Sequence, residues 1–434
     1  PGELVRVQGG RAETLGMVAP PMPPQHRTHQ GALNAVESEV QEVLKDSIRA
    51  HLVSDVEVGT LLSGGIDSAV VTALAVEVHG GPVRAFTLAV DDPALDETEL
   101  ATHAARTLGV RHHVLRVGPD QARARLPALL GSLDEPLADP SILPTRLVAE
   151  LAREHVKVVL SGDGGDELFL GYTRHRFMDA LDRARTLGPL STWAARAGAH
   201  LPARALDAAY GSLHGVLGLP DVVAPARKLA AAAESLREDR VLAYGRLFRA
   251  GTPAELTRLG LPHDPAIPVL RAAGEGYDGA DAAGLGQAVD VRLWLPDDIL
   301  AKVDRASMAV GLEARVPLID VEVARVAASL PGYALRSGST GKVVLRRLAE
   351  KRFGPGLARA DKRGFGLPMR DWLAGPLRPW RTEALASLSD RGLFDGHGLR
   401  ALQEAHDTGT DHAPILFALC ALEMWLRARA SVVA

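Results

Sequence analysis

The residues best suited to chemistry in this chain form a short loop at positions 63–68. The loop reads Ser-Gly-Gly-Ile-Asp-Ser and lies between an apolar run and an Ala- and Val-rich segment. We predict a strand before it and a helix after it, which directs free backbone N–H groups and the positive end of the helix dipole at the loop. Gly64 and Gly65 let the backbone approach phosphate oxygens, while Ser63 and Ser68 add hydroxyl donors. The pattern therefore indicates a phosphate site.

The carboxylate of Asp67 indicates that the phosphate site also binds a metal ion. A bare carboxylate repels phosphate, so we expect Asp67 to hold Mg²⁺, which bridges to the phosphate oxygens. No lysine follows the two glycines directly, and this separates the loop from P-loop NTPases. The alternative is a glycine-rich turn that serine and aspartate cap for structural reasons alone.

A second glycine- and acid-rich loop occupies positions 161–167, again after an apolar run. Its acids Asp163, Asp166 and Glu167 fall within five positions. Carboxylates this close together repel one another. A bound cation, or a role in proton transfer, would account for their presence. The apolar residues at 168–170 follow at once, which argues against an exposed acidic turn and places the loop against the core.

The elements around these loops alternate between strand and helix. The patterns predict helices at 32–52, 67–78, 97–108 and 143–154, and strands at 56–62, 84–90, 113–117 and 156–160. Apolar, β-branched strands that alternate with helices are typical of a parallel sheet covered on both faces. We therefore predict an α/β fold with a doubly wound parallel sheet.

The rest of the chain divides around that sheet. Residues 174–307 show no strand pattern, and residues 320–429 read as helices interrupted by a loop at 361–368. A short hairpin and a Pro-rich connector occupy the first 24 residues and resemble the tail of a preceding domain. We predict three parts: residues 1–24 as remnant and linker, 25–172 as the α/β core with the phosphate loop, and 173–434 as a large helical lobe.

Composition excludes several classes of protein. The net charge of -4 gives no electrostatic footprint for nucleic acid or an anionic membrane. No apolar stretch of about 18 residues is present, and the first residues do not read as a signal peptide. The single cysteine, Cys420, lies in an apolar run and fits a buried core residue in a reducing compartment. We expect a cytoplasmic protein with no nucleic-acid or membrane partner.

The first loop resembles the PP-loop, Ser-Gly-Gly-x-Asp-Ser, of the ATP-pyrophosphatase superfamily, whose members cleave ATP to AMP and pyrophosphate. The motifs that follow are similar to the synthetase domain of the glutamine-hydrolysing (class B) asparagine synthetase family, from about residue 25 to residue 430. They are Ser-Gly-Asp-Gly-Gly-Asp-Glu at 161–167, Leu-Asp-Glu-Pro at 133–136, the segments at 139–141, 144–145, 297–308 and 311–320, Gly-Lys at 341–342, and Lys-Arg-Gly-Phe-Gly-Leu-Pro at 362–368. The fold that this resemblance implies is adenine nucleotide alpha-hydrolase-like.

The resemblance also implies roles for individual residues. Nucleotide would be bound by Leu61, Ser63, Gly64, Gly65, Asp67, Ser68, Leu88, Ser161 and Gly162. Mg²⁺ would be held by Asp67 and Asp166, and Lys342 would stabilise the charge on departing pyrophosphate. Asp163 stands where well-studied family members often carry Glu, and it is the candidate for accepting a proton from the attacking amine. Glu135, Arg315 and Asp320 are expected to organise the substrate lobe.

The implied reaction is AMP-forming carbon–nitrogen ligation. A carboxylate becomes an acyl-adenylate, and an amine then displaces AMP. Aspartate and ammonia, giving asparagine, are the leading pair, with another carboxylate (in β-lactam, lasso-peptide or natural-product amidation) as the alternative. Related cyclases use a tyrosine–glutamate pair as base, which we cannot place from the sequence. A non-catalytic nucleotide-binding protein is a third hypothesis.

Glutamine-dependent members of the family begin with a glutaminase domain whose N-terminal cysteine attacks glutamine. This chain begins at Pro1, and its one cysteine is Cys420. We therefore expect it to use free ammonia, an amine of its substrate, or a glutaminase domain or subunit. A homodimer is the expected self-association.

Overall fold

The computed structural model describes residues 3–17, 31–93, 95–186, 239–261, 264–277, 280–338, 340–359 and 366–433. Three predicted segments lie wholly or partly outside the described residues: the Pro-rich connector at 20–24, the lobe between 187 and 238, and positions 361–365 of the loop at 361–368.

Nine strands form one large sheet and two small hairpins in the described part of the chain. The first hairpin pairs β1 (Glu3–Gln8) with β2 (Arg11–Met17). The large sheet contains β3 (Val58–Leu61), β4 (Arg84–Val90), β5 (Arg111–Val117), β6 (Val158–Leu160) and β7 (Glu313–Arg315). The last hairpin pairs β8 (Arg336–Ser337) with β9 (Thr340–Gly341).

The order of strands in the large sheet locates the site. The order is β5-β4-β3-β6-β7, and every neighbouring pair is parallel. The chain first moves outward from β3 through β4 to β5, and then crosses to the other side of β3 to form β6. Such a reversal opens a crevice outside the carboxyl ends of the two strands where it occurs. The doubly wound α/β prediction is confirmed, and the crevice lies between the ends of β3 and β6.

Helices cover both faces of this sheet and form the lobe. They are α1 (Leu33–His51), α2 (Ile66–His79), α3 (Thr98–Leu108), α4 (Pro119–Ser132), α5 (Ile142–Arg153), α6 (Gly165–Leu168), α7 (Thr173–Thr186), α8 (Arg240–Gly245), α9 (Pro253–Arg258), α10 (Ala266–Gly274) and α11 (Ala282–Val289). A π-helix (Asp290–Leu300) leads into α12 (Ala301–Met308), and a 3₁₀ turn (Pro317–Ile319) precedes α13 (Val321–Ser329) and α14 (Gly332–Leu335). The chain ends with α15 (Val343–Phe353), α16 (Pro355–Ala358), α17 (Met369–Ala374), α18 (Arg378–Asp390), α19 (Gly396–Asp407) and α20 (Ala413–Val433).

Two hydrophobic cores lie on opposite faces of the sheet, because successive strand residues point to opposite sides. Ala85 and Leu160 belong to the core beneath α1, α2, α3 and α15. Their neighbours Phe86 and Val159 belong to the core beneath α4, α5, α18 and α20. Burying each large apolar side chain contributes about 1.5–3 kcal/mol, so the sheet is fixed from both sides and the loops at its carboxyl edge have a rigid base.

Cys420 lies within the second core and is fully buried. Burial raises the pKa of its thiol to about 12, so the side chain is an uncharged apolar residue, as expected. Among the described residues, none of the helices has both the length and the apolar character that a membrane span needs.

Two elements differ from the sequence prediction. Strand β7, of composition Glu-Ala-Arg, pairs with β6 at the sheet edge, although its segment was assigned to the helical lobe. Its three residues are too few and too polar to form a strand pattern. Helix α4 contains Pro127 and has almost no amphipathic stripe, so no element was predicted there. The described part of the segment at 173–434 therefore contributes an edge strand to the sheet.

Candidate active site

A cavity of about 560 Å³ lies at the carboxyl ends of β3, β4 and β6. Twelve predicted site residues line it together: Leu61, Ser63, Gly64, Gly65, Asp67, Ser68, Leu88, Ser161, Gly162, Asp163, Asp166 and Lys342. These residues are separated by up to 281 positions in the chain (342 minus 61). The fold thus brings both predicted loops and the predicted lysine to one place.

The first loop is organised by its own hydroxyl groups. The Ser63 amide donates to Ser68 Oγ at 3.0 Å, the two hydroxyls are 2.9 Å apart, and the Gly65 amide donates to Ser63 Oγ at 3.0 Å. Gly65 is the N-cap of α2 and has no side chain to cover the helix end. The N-terminus of α2 therefore faces the cavity, which favours an anion such as phosphate.

The second loop packs directly on the first because glycines allow it. A Cβ at Gly162 would lie 2.6 Å from the Ser68 amide nitrogen, and one at Gly165 would lie 2.4 Å from Asp67 Cγ. Real Cβ atoms do not approach other atoms this closely. Gly164 has φ +86 and starts α6 in the left-handed region. The glycines of both motifs thus serve backbone contact as well as ligand approach.

Lys342 joins the two loops through ion pairs. Its Nζ lies 2.7 Å from Asp166 Oδ1 and also contacts Asp67 Oδ2. The residue is buried. Burial acts to lower the pKa of Lys342, but the charges of Asp166 and Asp67 raise it overall. The lysine is therefore an ammonium ion held between two carboxylates.

The carboxylates of Asp67 and Asp166 fit a divalent cation by their chemistry. Both line the cavity, and both meet at the same ammonium group. Mg²⁺ is typically held by one or two carboxylates together with substrate phosphates and water. No cluster of three or more His, Cys, Asp or Glu side chains suited to a metal occurs in the described part of the chain. A metal here would need phosphate oxygens or water as its other ligands.

A hydrogen-bonded tyrosine and glutamate, which the sequence prediction did not pair, lie in the same cavity. The Tyr172 hydroxyl donates to Glu167 Oε1 and accepts a hydrogen bond of 3.1 Å from Trp294 Nε1. Burial and the charge of Glu167 raise the pKa of Tyr172 well above its ordinary value, so the phenol stays neutral. Glu167 ends the second motif and Tyr172 follows it by five residues, and this closeness is the signal that would have singled them out.

Arg174 packs over the ring of Tyr172 and holds it in place. Its guanidinium carbon lies 3.6 Å from the ring centroid, a cation–π contact. Its Nη2 donates to Asp290 Oδ1 at 2.9 Å, and its Nε donates to the Tyr244 hydroxyl at 2.9 Å. Asp290 is fully buried and begins the π-helix. The lobe therefore positions the tyrosine of the cavity.

A second buried lysine borders the cavity. Lys302 Nζ donates to Asp139 Oδ2 at 2.6 Å and to Ser141 Oγ at 2.8 Å. Burial and the charge of Asp139 raise the pKa of the adjacent Asp298 to about 7. This cluster joins the start of α5 to the π-helix and α12, and so connects the sheet to the lobe.

Replacing Asp298 by Asn is expected to stabilise the protein more at pH 8 than at pH 5. The ordinary pKa of Asp298 is 3.8, so between pH 3.8 and 7 the folded state binds more protons than the unfolded state. The free energy of unfolding of the wild type therefore falls as pH rises through this range. Because Asn cannot ionise, the free energy of unfolding of the variant does not show this fall. Thermal unfolding at pH 5, 6, 7 and 8 should show a Tm difference that grows by at least about 2 °C.

The exposed Asp304 on the following helix supplies the matched control. Asp304→Asn should shift Tm by a similar amount at every pH. A pH-independent difference for Asp298→Asn would mean that Asp298 is ionised throughout.

Three predicted residues lie outside the cavity lining. The Arg315 guanidinium Nη1 donates to the carbonyls of His51 at 2.6 Å and Val53 at 2.8 Å, so it caps α1 from the edge strand β7. Asp320 is the N-cap of α13 and accepts from the Glu322 amide at 2.9 Å. Glu135 is exposed and pairs with Arg305. The contacts described for these three residues join parts of the framework, and their role in organising a substrate lobe stays a prediction.

Comparison with known proteins places the chain in a family. The family model for asparagine synthase matches residues 39–427. A putative glutamine-hydrolysing asparagine synthetase of Mycobacterium tuberculosis (strain H37Rv) is 34% identical over 392 residues, which cover 89% of this chain and 57% of that protein. Glutamine-hydrolysing asparagine synthetase 1 of Bacillus subtilis (strain 168) is 28% identical over 388 residues, which cover 89% of this chain and 58% of that protein.

Other matches are shorter. The amidase chyE of Penicillium rubens is 31% identical over 152 residues, covering 32% of this chain and 23% of that protein. A solved NMN synthetase of Francisella tularensis is 23% identical with a TM-score of 0.22, and the match covers 33% of this chain and 59% of that one.

The match to the family model extends over most of the chain, and it includes both loops and Lys342. The chain spans a little over half the length of the mycobacterial and Bacillus relatives. With its motifs assembled in one cavity, the chain belongs to the asparagine synthase family.

Proposed function

We propose that this chain is an ATP-dependent, AMP-forming carbon–nitrogen ligase that converts a carboxylate into an amide. The observation that carries the proposal is the meeting of both glycine-rich loops and Lys342 in one cavity at the switch point of the sheet. Such a crevice is where α/β sheets bind nucleotides. Family membership supports the same reaction class.

The first step is attack of a substrate carboxylate oxygen on the α-phosphorus of ATP. The bond from that phosphorus to the bridging oxygen breaks, and pyrophosphate leaves. The Ser63–Ser68 loop and the start of α2 would bind the phosphates, and Lys342 would offset the negative charge that develops on pyrophosphate. Bound Mg²⁺ would supply further charge neutralisation, held by Asp67 and Asp166. Leu61, Leu88, Ser161 and Gly162 would bind the adenosine.

The second step is attack of an amine nitrogen on the acyl carbon of the adenylate. AMP leaves, and the nitrogen loses one proton. Asp163 lines the cavity, and its Oδ2 accepts from Ser161 Oγ, so it is a candidate acceptor of that proton. Glu167, paired with Tyr172, is a second carboxylate facing the same space.

Aspartate and ammonia are the leading substrates, which would make asparagine the product. The partial match to an amidase keeps another carboxylate as the alternative. The ammonia would arrive free or from a glutaminase domain or subunit. We expect this chemistry to take place in the cytoplasm, and we retain a homodimer as the expected assembly.

The test is pyrophosphate release from a panel of carboxylates with ATP and Mg²⁺, with and without ammonium. Aspartate should support pyrophosphate release, and ammonium should then give asparagine and AMP in equal amounts. If pyrophosphate is released only with a different carboxylate, that carboxylate is the substrate and the reaction class stays as proposed. A folded sample that releases no pyrophosphate with any carboxylate would refute the ligase proposal.

Replacing Asp67 by Asn should lower metal-dependent pyrophosphate release by at least about 10²-fold, because the variant loses a charged ligand of the cation. Titration of Mg²⁺ should show a higher concentration at half-maximal rate. Asp46→Asn is the control, since Asp46 is exposed on α1 and pairs with Arg49. Unchanged rate and Mg²⁺ dependence in the Asp67 variant would mean that the metal binds elsewhere.

A further inference from the structure

A buried ammonium group lies where the proposed divalent cation would bind. Lys342 Nζ contacts Asp67 Oδ2 and lies 2.7 Å from Asp166 Oδ1. The side chains of the three residues are 8%, 14% and 15% exposed, respectively. A cation that bound both carboxylates would compete with this ammonium for the same oxygen atoms. The metal and the lysine therefore cannot both keep these contacts.

The backbone holds the lysine firmly in this position. Lys342 and Leu170 are the two non-glycine residues with positive φ in the described part of the chain, and both have φ 56. The segments that carry them pack together: a Cβ on Gly341, which precedes Lys342, would lie 2.2 Å from the Leu170 carbonyl oxygen. The Lys342 amide also donates to the Phe169 carbonyl at 3.1 Å. Unfavourable backbone conformations of this kind persist where the surrounding structure enforces them, often at functional sites.

The charges of these groups explain why replacement of the ammonium by a metal ion should depend on bound nucleotide. Two carboxylates and one ammonium carry a net charge of about −1. A divalent cation that took both carboxylates would leave a buried ammonium without its counter-ions, which is strongly unfavourable. The phosphates of ATP would supply new anionic partners for that ammonium. The metal and the nucleotide should therefore each strengthen the binding of the other.

We propose that Lys342 is a built-in counter-ion that occupies the divalent-cation site of the nucleotide-free protein and gives it up only when metal and nucleotide bind together. The inference rests on the proposed function for the position of the metal, but it does not require turnover. Its consequence is positive thermodynamic coupling between the two ligands. Free metal alone should bind weakly, although two carboxylates are in place.

Manganese binding tests this directly. Free Mn²⁺ is measured by electron paramagnetic resonance, with and without the α,β-methylene analogue of ATP, which resists cleavage at the α-phosphate. The Mn²⁺ that the analogue chelates without protein is measured separately and subtracted, so that only Mn²⁺ bound to the protein is compared. In the wild type, the analogue should tighten Mn²⁺ binding by at least about tenfold, and Mn²⁺ should tighten binding of the analogue by the same factor. A coupling below about twofold would overturn the proposal, and this measurement needs no variant.

Lys342→Met removes the ammonium and keeps an unbranched side chain that is one atom shorter. The variant should bind Mn²⁺ without nucleotide at least about tenfold more tightly than the wild type, and the coupling to nucleotide should shrink. Lys351→Met is the control, because Lys351 is 62% exposed on the same helix, α15, and pairs with Glu37. Equal Mn²⁺ affinity of wild type and Lys342→Met would overturn the proposal. Lys342→Gln replaces the Met variant if circular dichroism shows that the latter is unfolded.

The Asp166→Asn variant tests whether the metal binds this carboxylate, on which both the inference and the proposed function depend. Loss of Mn²⁺ binding in the presence of the analogue would confirm that the metal uses this carboxylate. Unchanged Mn²⁺ binding would place the metal elsewhere, which overturns both the inference and the metal assignment. Normal pyrophosphate release by a wild type that shows no coupling would overturn the inference alone.

Discussion

Replacing Lys342 by Met is expected to lower kcat/KM for pyrophosphate release by about 10³-fold, the upper range for removing one group that stabilises transition-state charge. The ammonium lies in a cavity largely shielded from water, where its interaction with a developing charge is much stronger than in solvent. The charges of Asp166 and Asp67 raise the pKa of Lys342 above its ordinary value, so the group is charged from pH 6 to pH 9. The loss should therefore be similar from pH 6 to pH 9.

The kinetic pattern distinguishes a catalytic from a binding role. A group that acts mainly on the leaving pyrophosphate should lower kcat and kcat/KM for ATP together. Lys351→Met, on the same helix but at the surface, should stay within about twofold of the wild type. A Lys342→Met variant that keeps more than a tenth of the wild-type kcat would exclude this role for the lysine.

The parts of the site that could be predicted from sequence are those with a local signature. A strand, a glycine-rich turn and a helix N-terminus lie within about ten consecutive residues, so the phosphate loop at 63–68 is readable without knowledge of the fold. The same holds for the loop at 161–167. Helix α3 lies where the local pattern at 97–108 predicted a helix, and it ends at Gly109, whose φ is +64.

The contacts that could not be predicted join residues far apart in the chain. Trp294 is 122 positions from Tyr172, and Lys302 is 163 positions from Asp139. These pairs depend on how the lobe packs on the sheet, which no local pattern encodes. Glu135 and Arg315 belong to segments that resemble family motifs, yet neither lines the cavity. A residue within a family motif can serve the framework, and only tertiary structure separates these roles.

Gly162→Ala is expected to lower pyrophosphate release by about 10²-fold, since misplacing reacting groups by about 1 Å costs this much. The new Cβ would lie 2.6 Å from the Ser68 amide nitrogen and 2.9 Å from its Cα. Both atoms belong to the first turn of α2, whose residues Val70, Val71 and Leu74 are almost fully buried. Because α2 cannot shift alone, the two loops must separate, and Asp67 must move away from Asp166.

The matched control is Gly356→Ala in α16, where an added Cβ meets no atom within 4 Å. This variant should keep its activity, and its Tm should be unchanged or slightly raised, because Ala favours helix over Gly. Far-UV circular dichroism should show that both variants are folded. Wild-type activity in Gly162→Ala would mean that the loops tolerate separation.

Combining Gly162→Ala with Lys342→Met shows whether the two changes act through the same contact. If separation of the loops lowers the rate by moving the departing pyrophosphate away from the lysine, part of the loss is already present in Lys342→Met. The double variant should then lose less than the product of the two single losses, by about tenfold, a coupling of about 1.4 kcal/mol. Losses that multiply would mean that Gly162 acts on nucleotide binding independently of the lysine. The lysine would then serve the leaving group without holding the loops together.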